Sequence, residues 1–378
     1  MFDLNFKSLS TQFAKLNIVF ALWLTASILG GSLLEVYLFE LGMSINEIIS
    51  TGIIWFVATL FLTPMFRKVP AKKFMLLGIA IGLLSVIMIY AIPDTKAAYL
   101  FRFLLGLTHF FFWVPFNTMF YEFKKENNAV MGAMYYSLGP LLTVFLPGIA
   151  GIIAGTFGYG NLYILAAVAY VATFVLALSF LDEKKTYEYR LTDALKSLSG
   201  LKTLIFLEGF APGVIVSVLL EVMTLQYVHT PAEYGAFISL TTIFAIAASF
   251  MTARISDINN RRREFLVISA IAFGLSAMLT SITSTATMFF LGFALINFFK
   301  TVFFPLPFAL LVDNSKNLFN TMVGREWLLS LGRVTGIIST LIIAIYMGIQ
   351  EALFFCGVVM LIVYPLVFEL KKSKLNKI

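Results

Sequence analysis

A chain of 378 residues with 60% hydrophobic letters and only 12% charged ones departs from a soluble globular average, in which about a quarter of residues carry charge. This composition excludes a water-soluble domain and places the chain in a lipid bilayer. The net charge of +7 follows from where the basic residues fall, as set out next, so binding to nucleic acid is not needed to explain it.

Crossing hydrocarbon about 30 Å thick takes roughly 20 consecutive apolar residues in a helix. Twelve such runs follow one another, at 16–39, 46–66, 74–92, 97–119, 129–156, 161–181, 202–228, 234–253, 265–284, 286–312, 320–347 and 350–369. The first is flanked by Lys15, is too long for a secretory h-region and lacks a small-residue cleavage site, so it reads as a mature helix. Barrel strands would alternate apolar and polar residues; these runs do not, and the fold class is an all-α membrane protein. Of the 27 Lys and Arg, 22 lie at the N-terminus, in the even-to-odd connections or in the C-terminal tail, against Lys96 alone in an opposite loop. The positive-inside rule then puts both termini in the cytoplasm of a cell-membrane protein, with the basic face toward the anionic leaflet. The one cysteine, Cys356, allows no internal disulfide and no cysteine-built metal site.

The longest polar stretch, "LDEKKTYEYRLTDALKSLSGLK" (181–202), divides the runs six and six. Expected units are a six-helix bundle at 1–181, a linker at 182–201 and a second bundle with a basic tail at 202–378. Leu191, Ala194, Leu195 and Leu198 recur at helical spacing, which predicts a short amphipathic helix lying on the cytoplasmic face. The halves repeat each other. "SLLEVYLF" in the first run matches "VLLEVMTL" in the seventh, pairing Glu35 with Glu221; "FWVPF" (112–116) matches "VFFPLPF" (302–308), pairing Pro115 with Pro305; "YSLGPLLT" (136–143) matches "LSLGRVTG" (329–336). Two parallel six-helix units are the plan on which one half rocks against the other around a central site.

The cytoplasmic turn after the eighth run reads "ARISDINNRRR" (253–263), and the turn after the second reads "TPMFRKVPAKK" (63–73). The fourth run opens with "RFLLG" (102–106), and the fifth carries "GPLLTVFLPGIAG" (139–151). On these segments the chain resembles the major facilitator superfamily over nearly its whole length. The family's turn motif, G-x-x-x-D-[RK]-x-G-[RK]-[RK], matches at Asp257, Arg261 and Arg262, which the resemblance makes a conformational gate. Ala253 and Asn260 replace its glycines, and the first copy has lost both glycines and the acid. Arg102 takes the place of the arginine in the family's R-x-x-x-G element. The fifth run partly matches the Gly-Pro motif of proton-driven exporters, without the Gly-Gly that usually follows, and so resembles the drug/proton antiporter-like branch. The family implies two pseudo-symmetric bundles and alternating-access transport.

Charge at mid-bilayer costs at least about 2.5–3.5 kcal/mol, so such residues normally face a cavity or a partner. Here they are Glu35, Arg102, Glu208, Glu221, Lys300 and Arg333, with His109 as a titratable neighbour. Glu35 and Arg102 are each about 8–9 Å below the outer surface by helical rise, so they can pair. Moving the arginine away would let the acid exchange a proton. Glu221 has no arginine counterpart, since Gly292 aligns with Arg102, and Lys300 can approach either Glu221 or Glu208. His109 either relays protons or hydrogen-bonds a neighbouring helix. The alternative for Glu35 and Glu221 is an interfacial position that reaches headgroups. Arg325 and Glu326 read as snorkelling at the cytoplasmic edge.

Aromatic residues crowd the fourth and tenth runs. A cavity lined by Phe110, Trp113, Tyr121 and Phe303, with Asn117 and Asn297 as its few amides, suits an amphipathic or aromatic substrate better than a sugar, which needs many directed hydrogen bonds. Glu208 and Arg333 join these as substrate-cavity candidates. The expectation is a monomeric, proton-coupled (or otherwise ion-coupled) exporter of amphipathic compounds without a cofactor. Uptake or facilitated transport of sugars or organic anions is the nearest alternative; a lipid scramblase or a non-transporting receptor is the alternative of another class. No HExxH, Walker-type loop, nucleophile elbow or metal-spaced His/Cys cluster occurs, which argues against an enzyme or a transport ATPase.

Overall fold

The computed structural model describes residues 11–122, 128–181, 185–258 and 262–375, with side chains described at 12–122, 137–181, 185–248 and 264–371. Within these, twelve helices are long and apolar enough to cross a membrane. They are α1 (Gln12–Glu40), α2 (Ile45–Met65), α3 (Ala71–Ala91), α4 (Thr95–Glu122), α5 (Ser137–Phe157), α6 (Tyr159–Phe180), α7 (Lys202–Thr224), α8 (Pro231–Ala248), α9 (Glu264–Ser281), α10 (Ala286–Asp313), α11 (Leu318–Tyr346) and α12 (Ile349–Lys371). Each expected run finds its helix. Below, the termini end is the end of the bundle from which α1 starts and α12 leaves; the loop end is its opposite.

Local chemistry sets the helix ends. Ser44 caps α2 in a reciprocal box with Glu47, and Asp94, Thr285 and Asn317 cap α4, α10 and α11, each occupying a backbone donor that the first turn leaves open. The α5–α6 and α11–α12 connections are so short that one residue reverses the chain. It is Gly158 at φ 84° in the first and Gly348 at φ 134° in the second, backbone conformations that a side chain would oppose.

Helix pairing repeats between the halves. Helix α1 packs on α5 and α6, α2 on α4, and α3 on α4 and α6; correspondingly α7 packs on α11 and α12, α8 on α10, and α9 on α10 and α12. The halves meet where α5 lies along α8 and where α2 lies along α11, contacts that exchange when the halves are exchanged. Outward faces are apolar, with Phe145, Ile152, Leu291 and Ile342 exposed, and buried charges lie inside the bundle, the inversion of a soluble protein that lipid demands.

The linker departs from expectation. Its helix, Leu191–Ser197, forms with Ala194 and Leu198 fully buried, but they pack against α11, where Gly324 abuts the Ala194 carbonyl and the Leu198 side chain. Ahead of it a strand, β2 (Thr186–Glu188), pairs antiparallel with β1 (Lys68–Pro70), the turn after α2.

The α5–α8 contact is made by backbone. Gly148, Gly151 and Gly235 bring the chains together, and the Gly148 N–H donates to Ser239 Oγ at 2.9 Å. A Cβ on Gly235 would overlap the Pro147 carbonyl, whereas one on Gly155 meets nothing closer than Ala232 Cβ at 3.7 Å. Gly235→Ala is therefore expected to lower the melting temperature, at a cost of about 1–3 kcal/mol as for overpacked cores. Gly155→Ala should leave it within about 0.5 kcal/mol, as read by thermal unfolding of both variants in detergent.

Candidate functional site

Two groups of buried charges lie between the halves, one nearer each end. Helix α1 is interrupted by a turn at Ser32–Leu33 and resumes at Leu34. That break places Glu35, 2% exposed, against Arg102 on α4, 4% exposed, and the two form a buried ion pair. The Arg102 guanidinium also lies over the Trp55 ring of α2, 5.0 Å from its centroid, a contact favoured by the ring quadrupole. From the other half comes Glu221 on α7, with Glu35, Arg102 and Lys300 as its charged neighbours. Tyr234 secures the α7 backbone here by donating to the Glu221 carbonyl at 3.1 Å. This group therefore sets two acids and two cationic side chains against one another across the interface between the halves.

The second group lies toward the termini end. Glu208 on α7 accepts from Arg325 Nη2 on α11 at 2.5 Å. Glu326 on α11 faces His109 Nδ1 on α4 at 3.3 Å and Arg333 Nη1 at 3.6 Å. Helix α7 reaches α11 closely enough for this because Gly209, Gly332 and Gly336 each meet facing backbone. The Arg333 guanidinium lies 4.8 Å from the Phe56 ring centroid, and its Nε and Nη1 have no hydrogen-bond partner. Unmade hydrogen bonds on buried donors cost about 1–3 kcal/mol each, so these donors are a place where a ligand oxygen would be favoured.

Prolines shape both groups. Pro115 has no N–H to give to the preceding turn, and α4 widens into a π turn over His109–Trp113 just before it. Pro212 sits inside a π turn, Gly209–Gly213, directly after Glu208. Such widened turns break the helical ladder and re-aim neighbouring side chains. Trp55 links the two groups, with Arg102 over its ring and His109 at 5.4 Å between centroids.

The structure thus brings together Glu35, Arg102, Glu221 and Lys300, and separately His109, Glu208 and Arg333. Of the choices open to Lys300, Glu221 is the acid it senses. Gly292 leaves Glu221 without an arginine from its own half, and its arginine neighbour is Arg102 of the first half. Arg325 and Glu326 are not snorkelling. Glu326 is buried and holds His109, and Arg325 holds Glu208; counting residues from the helix start put them at an edge that the linker in fact covers. Phe110 and Phe303 do not line a shared centre. Phe110 packs with Phe66, Phe74 and Tyr189, and Phe303 with Phe273 and Tyr364 inside the second bundle. Trp113 packs edge-on against Phe20 and Trp23, Asn117 is buried on α4, and Asn297 is buried on α10 with its Oδ1 unpartnered. Tyr121 meets Phe308 across the halves at 4.9 Å. Arg261 lies outside the described residues, as do the side chains of Asp257 and Arg262. Among the described residues no group of three or more His, Cys, Asp or Glu is placed to hold a metal ion.

Removing one member of a buried pair leaves an uncompensated charge, at about 3–5 kcal/mol. Arg102→Gln should therefore destabilise the protein by that order, and the double variant Glu35→Gln/Arg102→Gln should recover at least half of the loss, as measured by thermal unfolding. Arg102→Lys should recover less than the double variant, since an ammonium cannot reproduce the planar contact with both Glu35 and Trp55.

Comparison with known proteins agrees with this architecture. The family model described as Major Facilitator Superfamily matches twice, at residues 16–204 and 203–377. No curated protein sequence matches the chain. Among solved structures, the human organic anion transporter MFSD10 (TETRAN) superposes with a TM-score of 0.72 at 13% identity, covering 95% of this chain and 100% of that one. A POT family transporter in complex with a thioalcohol-conjugated peptide superposes with a TM-score of 0.71 at 14% identity, covering 96% of each chain. Another, in complex with 5-aminolevulinic acid, gives 0.70 at 14% identity, also covering 96% of each. With twelve membrane-crossing helices in two matching bundles and a family model matched along both, the chain belongs to the major facilitator superfamily.

Proposed function

We propose that this membrane transport protein is a proton-coupled carrier in which Glu35 and Glu221 hold the coupling proton between the halves. The observation that carries the reading is the apposition of two acids, Glu35 and Glu221, across the interface, with Arg102 paired to the first. While the halves are together at the loop end, the shared proton and the Arg102 ion pair satisfy both acids. When they part, the carboxyls separate, Glu221 meets water, and the proton leaves or is replaced according to the gradient. Rocking about the bundle interface would thus alternate access to substrate and proton together.

For the substrate, the aromatic rings of Trp55 and Phe56 beside the unpartnered donors of Arg333 favour an amphipathic or aromatic molecule with an acidic group over a sugar. Efflux is the direction to test first, following the partial Gly-Pro motif of α5. The distribution of basic residues supports cytoplasmic termini in a cell membrane. Both halves lie in one chain, so a single copy completes the site.

The test uses purified protein in proteoliposomes with an imposed pH gradient, after a thermal-shift screen of aromatic acids, drugs, sugars and amino acids identifies a ligand. Glu35→Gln and Glu221→Gln should each cut gradient-driven accumulation about ten-fold or more, ~1.4 kcal/mol on the driven step, while substrate exchange without a gradient persists. Undiminished driven accumulation in both variants would remove the acids from coupling.

A further inference from the structure

The turn after α2 carries the degenerate copy of the family's gate motif, without its acid and glycines. In the structure this turn does something else. Its residues Lys68, Val69 and Pro70 form β1, which takes up the linker strand β2 in the register Lys68↔Glu188, Val69↔Tyr187, Pro70↔Thr186. The Ala71 N–H donates to the Lys185 carbonyl at 2.9 Å and the Tyr189 N–H to the Arg67 carbonyl at 3.0 Å, extending the ladder at both ends. Lys68 pairs with Glu188 at 2.9 Å, and Glu122 at the end of α4 accepts from Lys185 Nζ at 2.6 Å and from the Tyr187 hydroxyl at 3.0 Å. Residues 185–189 of the linker are therefore tied to the first half.

The same linker residues also grip the second half. The Tyr187 ring stacks on Phe319 of α11, with centroids 4.5 Å apart and planes within 9°. Tyr189, 4% exposed, fits between Phe110 of α4 at 6.4 Å and Phe319 at 5.8 Å, while its hydroxyl donates to the Thr63 carbonyl of α2. Five residues on, Ala194 is buried against α11 at Gly324. Val69, Phe74, Phe110, Val114, Tyr189, Ala194, Phe319 and Val323 form one closed apolar cluster, drawn from the first half, the linker and the second half together. Burial and the adjacent Glu122 carboxylate push the Tyr187 phenol pKa up, so it stays a hydrogen-bond donor at physiological pH.

We infer that the linker is a latch on the termini end: its strand is anchored to the first half through β1, and Tyr187 and Tyr189 clasp Phe319 of the second half. The halves cannot separate at this end unless Phe319 leaves the two tyrosines. A backbone ladder in this way takes over the work that the missing acid of the turn motif does in the family pattern. The clasp also adjoins the deeper charge group, since His109 precedes Phe110 in α4 and Glu326 follows Val323 by less than one turn in α11. Release at the surface and loss of the His109–Glu326 contact would then occur together. The inference concerns opening at the termini end, whatever the substrate or coupling ion.

Pulsed electron-electron resonance tests it without a substrate. Spin labels are placed at the exposed sites Lys73→Cys and Lys316→Cys, one on each half, in a Cys356→Ala background, and the distance distribution is recorded in lipid nanodiscs. Phe319→Ala and Tyr187→Ala should each raise the population at longer separation, about two- to ten-fold as expected for losing an aromatic pair, and Tyr189→Phe, which removes only the bond to Thr63, should raise it less. Because Phe319→Ala deletes core, Tyr187→Ala at the half-exposed edge keeps the test decisive if that protein fails to fold. An unchanged distribution in folded Tyr187→Ala and Tyr189→Phe would overturn the latch and mean that the linker travels with α11.

Discussion

The organisation of this protein rests on what hydrocarbon does to charge. A carboxylate or guanidinium within the bilayer must find a counter-charge or water, and here Glu35, Glu208 and Glu326 each have a partner on another helix. Glu35 takes Arg102, Glu208 takes Arg325, and Glu326 takes His109 and Arg333. One of these links, His109 to Glu326, crosses from one half to the other, and Glu221 of the second half is a charged neighbour of Glu35 in the first. A pairing that is good only while the halves are together is by its nature sensitive to their motion. That is the physical reason for reading function into it.

The helices hold these pairs by being irregular at chosen places. A turn splits α1 just before Glu35, a proline-driven π turn follows His109 on α4, and another follows Glu208 on α7. Glycine contacts let α7 and α11 approach backbone to backbone. Breaks cost hydrogen bonds in lipid and are tolerated where neighbouring helices surround them, and here they occur beside the charged residues.

Most of the fold was legible in the sequence, because twenty apolar residues in a row have few alternatives in water or lipid. The Glu35–Arg102 contact was legible too: helical rise gave both residues the same depth, and the cost of charge demanded a partner. Other features were not. Glu326 looked exposed because its depth was counted along one helix, while its burial comes from the linker and from α4. Phe110 and Phe303 could not be assigned a face by spacing in a chain with 40 phenylalanines, and the π turn shifts the angular register on α4. Strand β2 is three residues long, too short to leave a periodic signal, and its partner lies in a turn more than a hundred positions earlier. The linker helix was visible from its leucines, yet an apolar stripe alone does not say whether lipid or protein covers it.

The glycine contact of α5 with α8 bears on how the molecule moves. Where main chains touch with no side chains between them, there is little slack for sliding or for drawing apart. In the proposed rocking motion such a seam would serve as the fulcrum. Tilting about it would lengthen one end of the cleft as it shortened the other, so that opening at the loop end and at the termini end would exclude each other by leverage, with no signal needing to pass between them.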